Sequence, residues 1–208
     1  MIDHATLYTY CAIVLGFVFI PGPATLLTVA RATTSGTKVG IATGAGITAG
    51  DIIHTFFAVV GISAIVATSA WLFSLVKYAG AAYLVYLGIK AIIAETPASS
   101  GREQESIAAG NAFRQAIFTE VLNPKTALFF LAFLPQFVHP ENGVVFLQLT
   151  ILGVLFAAIG FLSTFIFAVA AGRLGSFMRR HPSVLKYQGK AVGGVYCALG
   201  IGLATQQR

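Results

Sequence analysis

Long apolar runs separated by short polar ones dominate the chain. Six stretches, at about 7–30, 40–67, 70–93, 113–138, 143–170 and 184–204, are almost continuously hydrophobic. Each reaches the roughly 20 residues that a helix needs to cross a hydrocarbon core. The pattern predicts six membrane-spanning helices, and two of them contain residues that end helices. In "FVFIPGPATLL" (17–27), Pro21-Gly22-Pro23 sits where a helix would otherwise run on. Each proline removes a backbone donor and pushes the preceding residue out of the α region. In the fourth stretch, Asn123-Pro124-Lys125 makes a second interruption.

The two interruptions occupy matching places. A polar run at about 94–112, rich in Ser, Ala, Gly and Glu, reads as a flexible linker between residues 1–93 and 113–208. Phe17 is followed six places later by Pro23, then Thr25 and Leu27; Phe118 is followed six places later by Pro124, then Thr126 and Leu128. "KYAGAA" from Lys77 and "LGI" from Leu87 return as "KYQGKA" from Lys186 and "LGI" from Leu199. Two ordered matches point to a duplication. Three helices per copy is an odd number, so the second copy lies upside down relative to the first. The expected fold is thus all-α, six transmembrane helices as two inverted repeats in one domain. Inverted repeats with broken helices at corresponding positions point to a transporter site near the midplane.

Composition agrees with a membrane setting. The 208 residues are 57% hydrophobic and 10% charged, against about 25% charged in a soluble domain. The net charge of +6 does not imply nucleic acid, because it follows the topology. Arg31 and Lys38, then Lys90, Arg102 and Arg114, then Arg173, Arg179, Arg180 and Lys186 fall at connections expected on one side. The positive-inside rule puts loop 31–39, region 90–114 and loop 171–186 in the cytoplasm and both termini outside. No cleavable leader is expected, since the start is uncharged apart from Asp3 and the first apolar run reaches spanning length. Cys11 and Cys197 read as small apolar helix residues.

Candidate chemistry gathers at the breaks. A helix restarting after Pro23 or Pro124 presents free N–H groups and a positive dipole end, near Thr25 and Leu26 in the first case. Such ends hold carboxylates; the competing reading is a plain proline kink. Asp51 lies inside the second span, with His54 at i+3 on the same face. An acid at membrane depth is a site candidate by default. Asp51 can bind an ammonium group or carry a proton, and His54 can relay or tune it; alternatively the pair only fixes helix packing. Lys125 either binds a carboxylate or neutralises Asp51 or Glu120, and Glu120 is expected nearer the cytoplasmic mouth. Gly40, Gly44, Gly46, Gly50 and Gly61 read as close-packing positions, within or between protomers. Tyr83 and Tyr86 are placed on one face towards the cavity, with Trp71 and Tyr78 in the interfacial belt. No nucleotide-binding "GxxxxGK[ST]" and no clustered Cys/His set is present. Without an ATP-using subunit, coupling to protons follows from a buried Asp and His, and no cofactor is expected.

"PGP", "GAGITAGD", "KYAGAAYLVYLGIKAI" and "LNPKTALFFLAFLPQF" together resemble the LysE/RhtB amino-acid exporter family over essentially the whole chain. The resemblance implies a multi-pass protein of the bacterial inner membrane that exports amino acids or close derivatives, driven by the proton-motive force. RhtB-type members are associated with neutral substrates such as homoserine, threonine and leucine; LysE-type members take basic ones. The family motif falls on Pro21, Gly22, Pro23, Asp51, Asn123, Pro124 and Lys125, whereas Glu120 departs from it. The implied mechanism seats a zwitterion between the breaks, its carboxylate on a helix end and its ammonium facing Asp51. Protonation of Asp51 from outside then releases the cargo. Homo-oligomers are compatible with this reading.

Two rivals differ in chemistry. A membrane thiol–disulfide carrier needs paired cysteines in the first and fourth spans, but Cys11 maps to Ala112 and the fourth span has no cysteine. A divalent metal exporter needs several converging ligands, for which only Asp51, His54 and Glu120 are available.

Overall fold

The computed structural model describes residues 2–20, 22–68 and 107–180, with scattered single residues between 71 and 93 and at 197 and 201. All elements among them are helical. Helix α1 (His4–Phe19) is followed by α2 (Pro23–Ser35), α3 (Thr37–Thr68), α4 (Ala109–Val121), α5 (Pro124–Leu128) and α6 (Val145–Arg180). The third and sixth predicted spans, and with them Lys77, Tyr83 and Lys186, lie almost wholly outside the described residues, as does Pro21.

Both interruptions are real bends. The axis turns by 53° between α1 and α2, and by 45° between α4 and the Pro124–Phe137 segment. Two helices, Thr37–Gly61 and Val145–Arg173, are long and apolar enough to cross a membrane alone; counting each bent pair as one span gives four among the described residues. The chemistry of each start is visible. Asp3 caps α1 by accepting from the Thr6 N–H at 2.9 Å, and these bonds hold its carboxyl below the usual carboxylate range. Prolines 23 and 124 occupy first-turn positions, where a missing N–H costs nothing.

Several connections are shorter than expected. The predicted loop 31–39 reduces to Gly36, whose φ of 92° joins α2 directly to α3. A side chain is strained in that left-handed region, and glycine is not. Residues 171–180, expected as loop, continue α6; with 36 residues at about 1.5 Å rise each, that helix exceeds any bilayer core. The linker gives way to helix at Ala109, four residues before the predicted 113.

Beyond α5 the backbone widens into a π-turn (Phe129–Phe133) and tightens into a 3-10 turn (Leu134–Phe137). Pro135 supplies the cause, since it can donate no hydrogen bond to the preceding turn. The Gln136 side chain donates to the Ala132 carbonyl at 3.3 Å. Gln148, buried in α6, then ties the next turn by donating to the carbonyls of His139 and Gly143.

Helix α3 is the central element. Gly40 faces Ala32 and Ala168, and Gly44 faces Thr164, so α2 and α6 come close. On another face Gly46 meets Ala116 and Gly50 meets Glu120, which admits α4. The glycine stripes therefore serve contacts within the chain; among the described residues nothing lies close to Gly61, alone of the five. At one end of the bundle an aromatic core forms. Tyr10, Val14 and Phe17 line one side of α1, and Leu149, Leu152 and Phe156 one side of α6. Phe129 sits between Phe17 and Phe156, with ring centroids 4.6 and 4.7 Å away. Lipid is as apolar as these rings, so packing rather than escape from water holds them. The buried Tyr10 hydroxyl donates to the Leu152 carbonyl at 2.7 Å.

A Cβ at position 50 would lie 2.6 Å from the Glu120 Cβ. Gly50→Val is expected to destabilise the protein by about 1–3 kcal/mol and to lower its melting temperature in detergent. Gly61→Ala, with no described residue close by, should leave the melting temperature unchanged or raised.

Candidate functional site

The two breaks face each other across a small, partly open cavity. Its walls come from both interruptions and from the middles of α3 and α6. Phe17 and Val18 end α1, while Gly22 and Thr25 begin α2. Glu120, Asn123, Lys125 and Thr126 come from the second break. Asp51 and Ile47 enter from α3, and Phe156, Gly160 and Thr164 from α6. Phe17 and Phe156 link the cavity to the aromatic core, and Thr164 links it to the small-residue seam at Gly44.

Asp51 and Glu120 are each 2% exposed. Glu120 is thus as buried as Asp51 and shares its cavity, rather than standing at a polar mouth. Their carboxyl groups are close enough to act on each other, and Lys125 supplies the positive charge that acts on both. Gly160 makes room for Asp51: a Cβ there would lie 3.2 Å from Oδ2. The Asn123 amide donates to both Glu120 oxygens at 3.3 and 3.1 Å, and the Thr126 hydroxyl donates to Oε1. Three side chains from two short helices thereby bridge the second break.

Beside its charge on the two acids, Lys125 has a backbone role that the sequence did not suggest. Its Nζ donates to the carbonyls of Phe17 at 3.0 Å and Ile20 at 2.9 Å, and lies 4.3 Å from the centre of the Phe17 ring. It satisfies the C-terminal end of α1, where the last carbonyls have no intrahelical partner. Ser163 completes the end by donating to Val18 O at 3.2 Å. His54 plays the matching part for α4. Its Nε2 sits 2.9 Å from the Glu120 backbone carbonyl, and its ring stacks on Phe130 at 5.7 Å. In this arrangement Nε2 carries the proton and donates it. His54 is not among the residues that line the cavity.

The helix starts also differ. Gly22 caps α2 without a side chain, and its carbonyl accepts from Leu26 N–H at 2.9 Å. The Leu26 donor is therefore taken, and the first-turn donors of Ala24 and Thr25 have no side-chain cap. At the second break Asn123 Oδ1 accepts from Lys125 N–H at 3.1 Å, so that end is closed. Pro23 and Pro124 set the backbone without lining the cavity. Thr126, Thr164, Gly160 and the walls Phe17, Ile47 and Phe156 were missed as site residues. Only Thr126 carried a signal, as the repeat counterpart of Thr25. Among the described residues no three His, Cys, Asp or Glu side chains group as metal ligands.

Broken helices around a buried polar cavity, in a bundle clad with apolar side chains, define a membrane transport protein. A family model described as LysE-type translocator matches residues 15–207, and the chain belongs to that family. An uncharacterized membrane protein of Pseudomonas aeruginosa is 30% identical over 95% of this chain and 94% of its own length. A second, from Vibrio cholerae, is 30% identical over 91% of each chain. Leucine efflux protein of Salmonella typhimurium is 35% identical over 67% of this chain and 68% of its own. No solved structure matches the chain.

The cap geometry makes a direct prediction. His54→Ala leaves the buried Glu120 carbonyl without its donor, which costs about 1–3 kcal/mol, and should lower the melting temperature in detergent. His54→Gln keeps a donor and should cost less.

Proposed function

We propose that this chain exports neutral amino acids of the leucine type across the bacterial inner membrane, in exchange for protons. One observation carries the reading: the cavity joins an uncapped helix start, a pair of acids and an apolar wall. These are the three parts of a neutral zwitterion. The carboxylate rests at the start of α2, against the donors of Ala24 and Thr25, because the second break is closed by Asn123. The apolar side chain lies on Phe17, Ile47 and Phe156. The ammonium group faces Asp51. The relatives named leucine efflux protein support the cargo class.

Asp51 and Glu120 give the site two acids against one Lys125, so the cavity gains charge balance with either a proton or an ammonium group. Export follows when a proton from outside replaces the ammonium at Asp51. The same reading keeps six spans in two inverted repeats with both termini outside; bends at Pro23 and Pro124, which the repeat aligns, support it. Oligomers play no necessary part, since the cavity is built within one chain.

Everted membrane vesicles turn export into uptake. With an imposed pH gradient, labelled leucine or a similar neutral amino acid should accumulate, and Asp51→Asn should reduce accumulation to background. Silence across a panel of amino acids, in protein shown to be inserted, or unimpaired transport by Asp51→Asn, contradicts the reading.

A further inference from the structure

We propose that the end of α1 is an ammonium-binding site, that Lys125 occupies it in the empty protein, and that the cargo's ammonium group displaces Lys125. The inference rests on the zwitterion reading above and goes beyond it. The site has the parts that a primary ammonium requires. The carbonyls of Phe17 and Ile20 accept at 3.0 and 2.9 Å. The Phe17 ring face lies 4.3 Å from the nitrogen, within the range of cation–π attraction. The negative end of the α1 dipole and the neighbouring acids add the charge. Broken-helix ends with unwound carbonyls are suited to cations in this way.

Nothing in this cage is specific to a lysine side chain. The α-ammonium of an amino acid presents the same three N–H donors and the same charge. Lys125 reaches the cage from the opposite break, 105 residues further along the chain from Ile20, and Phe17 and Lys125 both line the cavity. A zwitterion can therefore insert between Lys125 and the α1 end. Its ammonium takes the two carbonyls while still facing Asp51, and the displaced Lys125 joins the start of α2 on its carboxylate. Two consequences follow. The empty protein keeps a tethered ammonium beside its two buried acids, and arrival of cargo undoes the direct clamp between the two breaks.

The test measures binding to the purified full chain with leucine and two fragments of it. Isoamylamine keeps the ammonium and side chain; isocaproate keeps the carboxylate and side chain. In Lys125→Met the cage is vacant, so isoamylamine should bind about tenfold tighter than to the unaltered protein, a gain of about 1.4 kcal/mol, while isocaproate binds more weakly. If Lys125 served only the carboxylate, isoamylamine affinity would not rise. If it served only the fold, affinity for both fragments would fall together; either result overturns the proposal. A second measurement needs no variant: acylation of Lys125 in the unaltered protein, followed by mass spectrometry, should speed up with isoamylamine. An unchanged or slower rate overturns the proposal. Failure of the unaltered protein to bind leucine or any other amino acid would instead reject the proposed function.

Discussion

Two helices are cut in the middle of an apolar environment, and the rest of the structure answers to that cut. A backbone carbonyl or N–H left bare at membrane depth costs several kcal/mol. Each freed group must find a partner inside the protein or face a cavity. Lys125 donates to Phe17 and Ile20, Ser163 to Val18, and His54 to the Glu120 carbonyl. Each donor comes from an element other than the one it completes. The breaks therefore do not loosen the bundle; they are the points at which α1, α3, α4, α5 and α6 are tied together.

The two cuts are completed differently, and that difference makes the cavity chemically uneven. Asn123 brings its own acceptor to the start of α5 and also donates to Glu120, so the second break is a closed polar network. Gly22 brings no side chain to the start of α2, and that helix opens on the cavity. Packing on either side is uneven too. Tilted rings of Phe17, Phe129 and Phe156 pack on one side, whereas Gly40 and Gly44 meet alanine and threonine in close helix contact.

Much of this was legible from residue order. Pro23 and Pro124 mark both bends, because proline removes a donor whatever surrounds it. The spacing of Gly40, Gly44, Gly46 and Gly50 indicates close helix approach, and all four are used. Asp51 stands out because an acid in an apolar run is costly. Other features depend on what lies opposite. His54 shares a helical face with Asp51, yet three-residue spacing does not say which carbonyl from α4 will come within reach. Glu120 was expected nearer the cytoplasmic mouth, but α4 packs on Gly50 and Glu120 is buried. Polar residues at 31–39 and 171–186 suggested loops, while helices run through 31–35, 37–39 and 171–180; a helix leaving the bilayer is free to become polar without ending.

Local hydropathy and backbone chemistry are enough to establish the membrane setting, the helical class, the places of the two breaks and the presence of buried acids. The partners come from docking: which cation completes which helix end, which start remains open, and which rings wall the cavity. Hydrogen bonds over 105 residues of chain depend on how helices dock, and helix docking here is set by many small van der Waals contacts that no single residue encodes.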